Sequence, residues 1–79
     1  MFNHLEIVVL AVSLPAHRFS PLGGVCPMEL PAGLSGAIID VWSDGTYEVE
    51  FVSRDRGWSA LARLREHELM TRRRSLAGR

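Results

Sequence analysis

The chain has 79 residues, room for one domain around one small core. Apolar residues make up 47% of it, which argues against disorder throughout. Formal charge is zero but unevenly spread: residues 1–70 hold five Arg against all nine acids, a net −4, while Arg72, Arg73, Arg74 and Arg79 make residues 72–79 a basic tail. An acidic body is a poor general polyanion binder. Cys26 is the single cysteine, so an intramolecular disulfide and a CxxC metal knuckle are ruled out. A lone thiol suits a reducing compartment, and a cytoplasmic location is expected.

Residues 6–13 are rich in β-branched side chains and predict a first strand that stops at Leu14-Pro15. The apolar run at 7–14 is too short to span a bilayer. No Lys or Arg precedes it, which argues against a signal peptide.

Residues 14–35 contain four prolines (Pro15, Pro21, Pro27, Pro31) and the Gly23-Gly24 pair, a composition that forbids a long regular element. Phe19, Leu22, Val25, Met28, Leu30 and Leu34 make the segment too apolar for a linker. We read a long ordered loop that folds back on the sheet, of a length that suggests function.

Residues 36–52 predict a hairpin. Asp44-Gly45 is the turn, with Gly45 free to take positive φ. After it Tyr47, Val49 and Phe51 alternate with Glu48 and Glu50, so the aromatic face points inward. Before it the alternation is broken. We expect Ile39 and Val41 in the core, with Ile38 and Trp42 on the outer face or where a strongly coiled strand brings both faces under cover. Gly36 suits a bulge or a close backbone approach.

A charged turn at 53–57 leads to a strand at 58–64, with Trp58, Ala60, Ala62 and Leu64 on one face. Residues 65–68 fit one helical turn, and residues 69–71 a short last strand. This order predicts an all-β fold: a small SH3-like barrel of about five strands, with one short helical turn before the last strand. The domain is expected to span residues 1–71 with its long loop at 14–35.

The frame carried by Gly33 and Gly36, by Ile38, Ile39 and Val41, and by the strand Tyr47-Glu48-Val49-Glu50-Phe51 resembles a family of short, uncharacterised bacterial domains. The resemblance covers roughly residues 6–70 and implies an SH3-like fold. It brings no established activity, so no catalytic residue follows from it. The loop around residues 17–28 is about a dozen residues longer than such a frame needs. What is individual to this chain is expected there or in the tail.

Catalytic constellations are weak. His17 and Cys26 could form a thiolate–imidazole pair, but no third orienting group is evident. His4, His17, His67 and Cys26 match no compact ligand spacing, and no metal or cofactor is expected. Glu48 and Glu50 point the same way along one strand, where a solvated face is the simpler reading than acid–base work. The expectation is therefore a non-enzymatic protein-interaction module, in the manner of a small accessory or antitoxin-like partner of a neighbouring protein. Phe19, Leu22, Val25, Met28 and Trp42 would carry the contact with another protein. The alternative is a nucleic-acid-binding module that uses Arg72, Arg73 and Arg74, for which the acidic body is the wrong background.

Overall fold

The computed structural model describes residues 1–72. They form strands β1 (Ile7–Leu10), β2 (Leu14–Pro15), β3 (Ser20–Gly23), β4 (Glu29–Leu30), β5 (Ser35–Val41), β6 (Thr46–Ser53), β7 (Trp58–Arg65) and β8 (Leu69–Thr71). Two single 3₁₀ turns, Ala16–Arg18 and Glu66–Glu68, precede β3 and β8. Six strands make one antiparallel sheet in the order β3-β7-β6-β5-β1-β8, and β2 pairs with β4 alone. The fold is mostly β, and the six-stranded sheet does not close on itself into a barrel.

The strand count exceeds the expected five because the proline-rich excursion builds three strands of its own. Pro21 is tolerated because β3 is an edge strand, where a missing N–H costs no ladder bond on the open side. The register with β7 slips between Pro21 and Gly23.

The inner face is built from β6 and β7 as their alternation predicts. Tyr47, Val49 and Phe51 are buried, and so are Trp58, Ala60, Ala62 and Leu64. Val8, Leu10, Leu14 and Leu30 complete the core from the first half of the chain. Gly36 lies opposite Phe51. A Cβ there would fall 2.8 Å from the Phe51 ring and from Val49, so only glycine lets the ring lie over β5. Tyr47 packs edge-on to Phe2 with ring centroids 5.4 Å apart. Its hydroxyl accepts from the Phe2 amide and donates to Glu66, so the buried phenol is satisfied.

The inward assignment on β5 is corrected. Ile38, not Ile39, is buried opposite Val49, while Ile39 and Val41 are exposed. A bulge between Ile38 and Asp40 breaks the period of two. With apolar residues on both parities, β5 alone could not set its face; β6, apolar on one parity, sets it.

The hairpin turn also differs in detail. Gly45 N–H donates to Trp42 O at 3.1 Å, and Trp42 N–H donates to Thr46 O at 2.9 Å. Gly45 has φ +88°, and Asp44 does not share the positive φ that a primed two-residue turn requires. This is a three-residue loop closed by a left-handed glycine. Asp44 instead caps it, accepting from Thr46 N–H at 3.1 Å and from Thr46 Oγ1 at 2.6 Å.

Candidate functional site

The excursion between β1 and β5 is fastened to the body at several points. Its turn crosses the β6–β7 turn at Gly24 and Gly57, both with positive φ. A Cβ on Gly24 would sit 2.0 Å from Gly57 O, so the two backbones touch as only a glycine allows. Two residues on, the Cys26 thiol donates to Ser59 O at 3.2 Å. Upstream, Arg18 pairs with Glu68, whose carboxylate also accepts from Arg65 N–H at 2.9 Å. Burial works to raise the Glu68 carboxyl. The Arg65 amide and the Arg18 guanidinium outweigh it and hold the group below the ordinary glutamate value.

On this anchored backbone the five side chains expected to meet a partner separate. Phe19 is 8% exposed and belongs to the core, which corrects its assignment to a contact surface. It directly precedes β3, and the excursion folds its ring under the sheet. Leu22 is exposed, and Val25 and Met28 are exposed to 89% and 86%. Beside Met28 a cleft of about 550 Å³ is lined by Pro27, Pro31, Leu34 and Trp58 together with Glu29, Ser53, Asp55 and Arg56. Neither Glu29 nor Arg56 makes an ion pair among the described residues.

Trp42 lies elsewhere. It sits at the Thr46 end of β6, whereas β3 meets β7 along the stretch opposite Glu50 to Val52. Four to six residues of extended strand separate these levels, about 13 to 20 Å. Trp42 is also engaged: the Arg63 guanidinium lies 4.3 Å over its ring, and its indole N–H donates to Glu48 at 3.3 Å. Arg63 in turn donates to Thr46 Oγ1 at 2.8 Å and to Asp44 at 3.0 Å. The hydrogen bonds of Thr46 and then the charge of Arg63 hold the Asp44 carboxyl below its usual range.

Glu48 and Glu50 share the outer face of β6 as their spacing predicts, and Glu48 lies directly opposite Arg63. Among the described residues no three His, Cys, Asp or Glu stand together as metal ligands would. No helix among them is long and apolar enough to cross a membrane. Arg72 is exposed. Arg73 and Arg74 lie outside the described residues.

The sequence reading missed the Gly24–Gly57 crossing and the Arg18–Glu68 pair. Gly23-Gly24 marked a turn, but nothing local named the distant backbone it meets. Arg18 was counted as charge alone.

A small antiparallel β domain with a folded-back excursion is the class these features define. Residues 4–71 match the family described as Domain of unknown function (DUF4926), and the chain belongs to that family. No curated protein and no solved structure matches the chain.

Proposed function

We propose that this protein is a non-enzymatic interaction module that binds another protein through Leu22, Val25 and Met28. The observation that carries the reading is the display of Val25 and Met28, almost fully exposed, on a backbone tied down on both sides. Apolar side chains on a free loop can collapse onto the body. Here the glycine crossing and the Cys26–Ser59 bond hold the backbone while the side chains point to water. Such surface marks a contact site. The neighbouring cleft, walled by prolines, Leu34 and Trp58, extends the apolar area.

The fold reading that accompanies this is SH3-like. It is supported by the succession β8-β1-β5-β6-β7, the neighbour order of a five-stranded SH3-like barrel, and by the 3₁₀ turn before the last strand. On this reading β3 is an addition that the excursion lays on the β7 edge. Folds of this kind serve through their surfaces, so function is argued from the exposed side chains and not from the architecture.

The test is site-specific photo-crosslinking in the native cell, with the reactive side chain at position 25, 28 or 41. The reading expects one protein adduct from positions 25 and 28 and none from position 41. Adducts from position 41 alone, or from no position, would reject it.

A further inference from the structure

A polar cleft at the Arg65 end of β7 shares no residue with the contact surface proposed above. Its volume is about 580 Å³, and Arg18, Arg63, Arg65 and His67 line it together with Asp44, Thr46 and Glu68. Residues 1–70 hold five Arg against nine acids, yet three of those five meet here. Arg63 and Arg65 lie two apart on β7 and so share its outer face, opposite Glu48 and Thr46 of β6. Arg18 comes from the first 3₁₀ turn and His67 from the second.

Both carboxylates of the cleft are already committed. Asp44 accepts from Thr46 and pairs with Arg63 at 3.0 Å. Glu68 pairs with Arg18 at 2.9 Å and accepts from Arg65 N–H. Thr46 first, then Arg63 and Arg65, keep the Asp44 carboxyl low; burial works to raise Glu68, and Arg65 N–H, Arg18 and His67 overcome it. The Arg65 guanidinium and the His67 imidazole make no ion pair among the described residues. Glu66, between them in the chain, is turned to the Met1 amine and the Tyr47 hydroxyl. His67 stands on the rim shared with the cleft that Glu66 lines. Three guanidiniums against two carboxylates leave the cleft positive before His67 is counted.

We propose that this cleft binds the phosphate group of a small phosphate monoester, with Arg65 and His67 on the phosphate oxygens. A monoester carries close to two negative charges near neutral pH, and its oxygens match the planar fork of a guanidinium. Arg65 and an imidazolium at His67 supply two unspent positive charges. A lone carboxylate would use one of them and leave the other idle. A nucleic-acid strand carries one charge per phosphate and needs several cations along its path, which the acidic body does not provide. The Arg18–Glu68 and Arg63–Asp44 pairs hold the walls, so the two unpaired groups are the ones left to meet the ligand.

Amide chemical shifts of the whole labelled chain, followed during titration at constant ionic strength, test this. The probes are inorganic phosphate, glucose 6-phosphate, acetate and a single-stranded oligonucleotide. Inorganic phosphate should saturate with a millimolar dissociation constant and move the amides of Thr46 and of residues 63–68. Glucose 6-phosphate should bind at least as tightly, since the cleft is open to solvent, and acetate about tenfold more weakly or worse. Arg65→Gln and His67→Gln should each weaken phosphate about tenfold at an unchanged melting temperature. Arg54→Gln, the same loss of charge outside the cleft, should leave it as it is. Shifts that do not saturate overturn the proposal, as does an equal effect of Arg54→Gln and Arg65→Gln. So does acetate binding as tightly as phosphate. Exclusion of the sugar phosphate overturns the monoester, and an oligonucleotide that moves the same amides at lower concentration overturns the small ligand.

Discussion

One Arg18 guanidinium nitrogen donates to both carboxylate oxygens of Glu68, at 3.1 and 2.9 Å, and so joins the two turns that precede the edge strands of the sheet. β3 and β8 do not hydrogen-bond to each other. A side-chain clasp stands where a closed barrel would have a ladder. The main chain at the same residue adds to it, since Glu68 O accepts from Ala11 N–H at 2.8 Å.

Removing the charge at Glu68 should therefore loosen the start of the excursion. Glu68→Gln is expected to cost about 1–2 kcal/mol at neutral pH, as Arg18 is partly exposed. The pH dependence has a definite sign. A carboxyl whose folded value lies below the ordinary 4.5 contributes stability that is full above that value and is lost as pH falls through the folded value. Urea unfolding across this range should show wild type and Glu68→Gln converging in acid. A gap that stays constant to pH 2 would mean that the carboxylate charge is not what Arg18 reads.

Gly24→Ala should displace the excursion from the β6–β7 turn, because the added methyl meets Gly57 O and the position has φ +71°. The expected cost is about 1–3 kcal/mol. Hydrogen exchange should show the loss concentrated in β3 and β4, with the β5–β6 amides less affected. Uniform loss would place the crossing in the core of the folding unit.

The β5–β6 turn offers a cleaner backbone test. Gly45 has open space around its Cβ position, so any penalty at that site is conformational. Gly45→Val should cost at least about 1 kcal/mol by thermal or denaturant unfolding, since a β-branched residue resists φ +88°. A neutral result would contradict the left-handed closure of the loop.

Phe51→Ala should cost about 3–5 kcal/mol or unfold the domain, while Glu50→Ala should leave stability near wild type. Phe51 has no exposed surface and covers Gly36. Equal effects would mean that the strand faces the other way.

The strands with one clean parity are legible in the sequence. β6, the inner face of β7, the turn at 66–68 and the short β8 stand where the alternation and punctuation put them. The excursion was not legible in the same way. Proline and glycine told that it is no long element, yet the pairing of Ser20 with Leu61 and of Leu14 with Leu30 depends on partners that no local period reveals. Phe19 shows the consequence. An aromatic in a polar-punctuated loop reads as display, and only the return of β3 to β7 makes it core. Val25 and Met28 have the same sequence signature and the opposite fate, because the Cys26 anchor between them turns both outward. On β5 the parity of Ile39 and Val41 pointed the wrong way, because the bulge between Ile38 and Asp40 breaks the period and puts Ile38 in the core opposite Val49.

The most direct measurement is calorimetric titration of the crosslinked partner, once purified, with wild type, Trp42→Ala and the double variant Val25→Asp/Met28→Asp. Both altered side chains of the double variant are almost wholly in water, so its melting temperature should match the wild type. The predicted result is a loss of affinity of about a hundredfold for the double variant, near 3 kcal/mol, with Trp42→Ala unchanged. Wild-type affinity in a folded Val25→Asp/Met28→Asp chain would contradict the account.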